Sequence, residues 1–105
     1  MRIEPSPRFI KDAKTLAKKY KKLSDDLEFL QKTLLENPLS GTPLGNNIFK
    51  IRIPNSSIPI GKSGGFRVIT YYLSEEILFL LTIYSKSNRE SISSSEIDSI
   101  IETLD

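Results

Sequence analysis

The chain of 105 residues contains no cysteine and no histidine. Without cysteine there can be no disulfide framework and no thiolate metal site, which suits a reducing compartment. Without histidine the commonest general base and metal ligand are both missing. Any catalysis has to be carried by carboxylates, lysine, arginine, tyrosine or serine. Long apolar runs are missing too. The longest, Ile77 to Ile83, is interrupted by Thr82 and is far too short to span a bilayer. The opening MRIEPSPRFIKD holds no apolar stretch of signal-peptide length. These absences predict a soluble, cytoplasmic protein made of a single domain, residues 1–105, of a size that folds without a metal.

A further absence is local. The net charge is only +2, yet no Asp or Glu occurs between Pro38 and Leu73, where Lys50, Arg52, Lys62 and Arg67 all fall. The segments around it differ sharply. Residues 1–22 carry eight Lys or Arg against two acids, residues 23–37 one against four, and residues 73–105 two against seven. Such a segregated charge pattern says more about partners than the total does.

What is present reads as two helices followed by strands. Arg2-Ile3-Glu4 before Pro5 predicts a short first strand, and Ser6-Pro7 supplies an N-cap and a first-turn proline. Phe9, Ala13, Leu16, Ala17, Tyr20 and Leu23 then recur at helical spacing, which predicts an amphipathic helix over 7–22. Its lysines, Lys11 to Lys22, read as a solvated face first and an RNA-facing one second. Ser24-Asp25-Asp26 can cap a second helix carrying Leu27, Leu30 and Leu34, which Asn37-Pro38 ends. Residues 39–47 read as a loop, with two glycines and a proline. The period then changes to two. Phe49, Ile51 and Ile53 alternate with Lys50 and Arg52, residues 66–73 follow the same logic around Arg67, and Ile77 to Tyr84 reads as an interior strand. A tight turn at Ser74-Glu75-Glu76 joins the last two. Ser93 and Glu96 have capping-box spacing and open a final helix through Ile97, Ile100, Ile101 and Leu104. The fold class predicted is α+β: a small antiparallel meander packed against an N-terminal αα-hairpin, with a C-terminal helix.

The stretch Gly61-Lys62-Ser63-Gly64-Gly65 has the look of a phosphate-cradling nucleotide loop, but that loop needs a glycine five positions earlier and a helix right after. Position 56 is Ser56, and Phe66-Arg67-Val68-Ile69-Thr70-Tyr71-Tyr72 favours a strand. In a meander, Lys50, Arg52, Arg67 and the Tyr84/Lys86 strand end come to neighbouring positions if the register sets them on one face, with Lys62 over the same edge and Arg89 just beyond. Ordinary solvent-facing cations would explain that pattern. The missing acids and the interleaved Tyr71, Tyr72 and Tyr84 favour a nucleic-acid surface, where cations take phosphates and rings stack on bases.

The two N-terminal helices, Lys50-Ile51-Arg52, the loop from Gly61 to Gly65, the strand from Phe66 to Tyr72, and Leu80-Leu81-Thr82-Ile83-Tyr84-Ser85-Lys86 together resemble the RelE/ParE superfamily of toxins from type II toxin-antitoxin systems, and within it the RelE/HigB-like branch. The resemblance is most specific over residues 44–92. It implies a small toxin that inhibits translation as a ribosome-dependent, metal-independent endoribonuclease on messenger RNA, with a cognate antitoxin, the ribosome and the message as partners, and with no cofactor and no membrane. Carried across, it implies catalytic roles for Arg67, Lys50, Lys86 and Tyr84 and RNA binding for Arg52 and Arg89, while Lys62 and Tyr71 read as RNA-binding from their own chemistry and placement. Arginine offers a fork of donors to phosphate oxygens, and an amine among other cations can take part in proton transfer. Glycines 61, 64 and 65 would let the loop approach a nucleic-acid backbone. Two alternatives stay open: a ParE-like inhibitor of DNA gyrase, and a binding module of the same fold that lacks the chemistry.

Overall fold

The computed structural model describes residues 1–58, 65–89 and 91–104. Its centre is a five-stranded sheet in the order β1-β5-β4-β3-β2, formed by β1 (Arg2–Pro5), β2 (Thr42–Gly45), β3 (Ile48–Ile53), β4 (Phe66–Ser74) and β5 (Ile77–Ser85). The predicted meander is β3-β4-β5. The sheet is mixed, because β1 lies parallel to β5 while the other pairs are antiparallel.

Helices α1 (Pro7–Lys19) and α2 (Leu23–Glu36) cover one face. Ser6 ties the first of them to the sheet through a single hydroxyl. It accepts from the Phe9 N–H at 3.0 Å as the N-cap and donates to the Leu81 carbonyl at 2.8 Å. Phe9, Leu16 and Tyr20 from α1 and Leu23, Leu30 and Leu34 from α2 then close over Ile51, Ile53, Phe66 and Val68. The second helix starts one residue earlier than the serine-aspartate signal suggests, and no side chain caps it. Asp26 is instead buried, where it accepts from the Ser56 hydroxyl and from the Ser56 N–H at 3.0 Å. An acid read as a helix-start charge thus anchors the loop that leaves β3.

The opposite face is only partly covered, by α3 (Ser94–Glu102). Its N-cap Ser93 accepts from the Glu96 N–H at 3.2 Å, as the capping-box spacing predicts. Ile97 and Ile100 pack on Ile48, Ile69, Leu81 and Tyr84 to form a second, smaller core. An irregularity in the β4–β5 ladder between Ile69 and Thr70 switches which alternate residues of β5 face each core. Leu78 and Ile83 reach the helix-hairpin side, while Leu81 and Tyr84 reach the α3 side.

One element departs from the sequence reading. Residues 42–45, read as loop, form the edge strand β2, whose residues are all exposed and therefore show no apolar alternation. Asn46 (φ 53°) and Asn47 (φ 63°) make the two-residue left-handed turn that brings β2 back against β3. Among the described residues, no helix is long and apolar enough to cross a membrane.

Candidate nucleic-acid interface

Alternation along β3 and β4 decides where the cations go. With Ile51, Ile53, Phe66 and Val68 under the helices, Lys50, Arg52 and Arg67 must point to the other face. The register lines them up: Arg52 is directly opposite Arg67, and Arg67 directly opposite Tyr84. Lys86 follows β5, and its N–H donates to the Gly65 carbonyl at 3.3 Å. That same carbonyl accepts from Nη1 of Arg67, also at 3.3 Å. One backbone oxygen therefore helps to hold both cations in place.

Lys50, Arg52, Arg67 and Lys86 line one cavity of about 510 Å³ beside the uncovered part of the sheet. Burial is graded within it. Arg67 is only 7% exposed, Lys50 and Lys86 are half-buried, and Arg52 is exposed. The cavity therefore has a guanidinium at its floor and amines at its sides. Among the described residues none of the four is ion-paired, since the ion pairs fall on Arg2–Glu4, Arg8–Asp12, Arg8–Glu96 and Arg89–Glu96. Like charges directly opposite each other across a ladder destabilise a sheet. Arg52 facing Arg67 without a neutralising acid is an arrangement suited to an incoming anion rather than to stability.

Other residues singled out in the sequence fall elsewhere. Tyr84 stands beside Arg67 across the ladder but does not line the cavity; its ring is buried with Arg89 over it, 5.6 Å from the centroid, so it offers no open face for a base to stack on. Its hydroxyl has no hydrogen-bond partner among the described residues. Burial pushes its pKa up, against the opposing pull of the Arg67 and Arg89 charges, which keeps the phenol neutral at physiological pH. Arg89 is committed to structure: it forms a two-pronged pair with Glu96 at 2.9 and 3.2 Å and donates from Nε to the Ser91 carbonyl. Tyr71 stacks on Phe79 with centroids 6.3 Å apart and packs against the α3 core, away from the cavity. Lys62, Gly61 and Gly64 lie outside the described residues. Gly65 has a structural reason to be glycine, because a Cβ there would collide with the Ile53 carbonyl.

The cavity also has walls that the sequence reading did not single out. Gly41, Thr42 and Ser91 complete it. Gly41 has φ +104°, and a Cβ on it would stand 2.5 Å from the Lys50 carbonyl oxygen, so only glycine lets the chain pass this close to β3. Thr42 sits opposite Lys50 in the ladder and shares its face. The signal that could have revealed this wall is Asn46-Asn47, a pair suited to a two-residue hairpin turn and hence to a strand just before it. Among the described residues, no group of three carboxylate side chains is placed to hold a metal ion.

The family described as "RelE toxin of RelE / RelB toxin-antitoxin system" matches residues 8–103. The chain belongs to this family of toxins. Among solved structures, a doubly substituted variant of the E. coli toxin RelE in the free state is similar in fold, with a TM-score of 0.60 at 18% sequence identity, covering 97% of this chain and 96% of that one. No curated protein matches the sequence.

Proposed function

We propose that this toxin is a ribosome-dependent endoribonuclease that cuts messenger RNA and so stops translation. The observation that carries the reading is the cavity of four cations, with Arg52 directly opposite Arg67 and no ion-paired acid among the described residues. A phosphodiester is the anion such a site suits, because arginine forks match phosphate oxygens.

The reaction follows from the side chains at hand. The ribose 2′-hydroxyl attacks the adjacent phosphorus, a bond forms between O2′ and phosphorus, and the bond from phosphorus to O5′ breaks. A general base takes the 2′-hydroxyl proton and a general acid protonates the departing O5′, leaving a 2′,3′-cyclic phosphate and a 5′-hydroxyl. Lys50 and Lys86, half-buried on the cavity sides, are the two amines assigned to these transfers. Arg67 at the floor stabilises the charge that builds on the phosphoryl oxygens, and Arg52 at the rim holds the backbone. Tyr84, the cross-strand neighbour of Arg67, supports that arginine from the side rather than touching the base. A cognate antitoxin silences the toxin by covering this positive surface with acidic residues, and electrostatic complementarity makes their association sensitive to salt.

Metabolic labelling after induction tests the reading. Protein synthesis is expected to stop while DNA supercoiling stays normal. Continued synthesis with accumulating gyrase-linked breaks would instead make the chain a gyrase inhibitor, and neither effect would make it a binding module of the same fold.

A further inference from the structure

Helix α1 and the turn after it carry a second concentration of positive charge, away from the cavity. Residues 11–22 contain six lysines, Lys11, Lys14, Lys18, Lys19, Lys21 and Lys22, and one acid, Asp12. All six lysines are exposed, and among the described residues none is in an ion pair. Asp12 does not neutralise them, because its carboxylate is turned to Arg8 and to the Thr82 hydroxyl. Lys11, Lys14 and Lys18 each stand two positions from a buried residue, Phe9 or Leu16, which at about 100° per residue sets them opposite the core in one row. Lys21 and Lys22 extend the row into the turn before α2, and Lys19 lies to one side, 5.3 Å from the centroid of the Tyr20 ring.

Folding does not ask for this row. Its lysines follow one another at intervals of three and four, where like charges repel and weaken a helix. The helix dipole favours cations in the last turn, which accounts for Lys18 and Lys19 but not for Lys11 and Lys14. The outer face of α2 shows the contrasting mixed pattern, with Glu28 and Lys32 four apart and Asp25 and Glu36 on either side.

The surroundings of the row choose its partner. A membrane surface needs an apolar helix face to insert, and that face of α1 is already packed into the core through Phe9, Leu16 and Tyr20. A protein interface is depleted in lysine and centred on aromatic or apolar anchors. Besides the six lysines, the exposed residues from 11 to 22 are only Thr15 and Ala17, and neither is such an anchor. A sugar-phosphate backbone needs no apolar centre and is held by cations alone. Position agrees with this choice. Tyr20, which follows the helix, meets Phe66 edge-on with centroids 5.3 Å apart, and Phe66 precedes Arg67. The lysine-rich end of α1 therefore lies at the same end of the sheet as the cavity, on the opposite face, so two separate RNA segments can be held at once.

We propose that the outer face of α1, through Lys11, Lys14, Lys18, Lys21 and Lys22, is a second RNA-binding surface, which grips the sugar-phosphate backbone of folded ribosomal RNA while the cavity takes the message. This rests on the reading as a ribosome-dependent endoribonuclease and adds to it how the toxin is held. Affinity comes from the lysine face and chemistry from the cavity.

The test uses ribosomes programmed with a message and compares wild type with Lys14→Gln, Lys18→Gln, the double variant and Arg2→Gln. Arg2 is exposed at the other end of the sheet, and its substitution removes one charge likewise. Binding is measured across a salt series with every substitution placed in an Arg67→Ala protein, so that the message stays intact. The logarithm of affinity should fall linearly with that of salt concentration, and each lysine substitution should flatten the slope by about one. Arg2→Gln should leave the slope unchanged. Cleavage is then measured with Arg67 in place. The double variant should show a raised KM for ribosomes at an unchanged kcat, and Lys14→Arg with Lys18→Arg should restore the wild-type KM. Melting temperatures should not fall, since repulsion along the helix is relieved. A double variant with the wild-type slope and KM overturns the inference and leaves the face to solvent or to an acidic protein, while the cleavage reading stands. An effect of Arg2→Gln equal to that of Lys14→Gln, or a fall in kcat at an unchanged KM, overturns it as well. If wild type cuts no ribosome-bound message, the cleavage reading fails and the inference fails with it.

Discussion

The two faces of the sheet are built from the same strands and follow different rules. On the helix-hairpin face most inward positions are apolar, with Thr70 and Ser85 as buried exceptions, and α1 and α2 close over them, so Ile53, Phe66, Val68 and Leu34 are all but fully buried. On the other face α3 covers one end with Ile97 and Ile100, and the rest is left to Lys50, Arg52, Arg67 and Lys86 around a cavity. Phe66 and Arg67 are neighbours in sequence and belong to opposite faces. Strand alternation thus separates the apolar core of this chain from its cationic cavity, one residue at a time.

The largest effect should come from Phe66→Ala. Its ring is completely buried and meets Tyr20 edge-on with centroids 5.3 Å apart. Removing it leaves a cavity between the helices and the sheet and should destabilise the protein by about 3–5 kcal/mol. That is a large share of the roughly 5–15 kcal/mol that holds a typical domain together. Urea unfolding measures it. A midpoint equal to that of the wild type would break the division between the two faces.

Next in size is Arg67→Ala, with the opposite profile. A donor set aimed at transition-state charge is worth about 100-fold or more in rate. Arg67 is more deeply buried than its place on the uncovered face suggested, and it has no ion pair among the described residues. Losing it relieves the opposition to Arg52 and the burial of an unpaired charge. Melting is therefore expected to stay level or rise while cleavage of ribosome-bound message falls, and Arg67→Lys should recover only part of the rate, because a point charge cannot make the two-pronged contact. Full activity in Arg67→Ala would remove the site drawn around it.

How far the sequence could be read follows from the same contrast. Periodicity exposes whatever buries one face, which is why both hairpin helices, the three meander strands and α3 with its Ser93 cap were legible, as was the clustering of Lys50, Arg52, Arg67 and Lys86. Periodicity is blind to an edge strand with no buried side, so β2 read as loop and the Gly41-Thr42 wall went with it. It also says nothing about which cations are already taken. Arg89 and Lys86 look equivalent in sequence, but of the two only Arg89 lies within reach of Glu96, an acid in the first turn of α3. Tyr71 and Tyr84 look like base platforms among cations, yet α3 and Arg89 cover them, and that cover depends on where a helix far along the chain comes to rest.

The smallest effect concerns the edge where the two faces are tied together. Glu96 on α3 receives Arg89 at 2.9 Å and Arg8 of α1 at 3.1 Å, so one carboxylate links the cover of the uncovered face to the helix hairpin. The Arg89 hydrogen bond, the largest influence, holds the Glu96 carboxyl below the usual carboxylate range; burial opposes it, and Arg8 adds to the lowering. A group whose folded-state pKa lies below its unfolded value contributes stability above the unfolded value and loses it as pH falls through the folded one. Glu96 and its partners are all about a third exposed, and solvent screening limits the contribution to about 1 kcal/mol or less. Wild type should therefore melt slightly higher than Glu96→Gln at pH 7, and the gap should close between about pH 5 and pH 3 as the carboxylate is protonated. Melting curves of the two proteins that run parallel across this range would mean that α3 is held by Ile97 and Ile100 alone, and that the two faces are stabilised independently of each other.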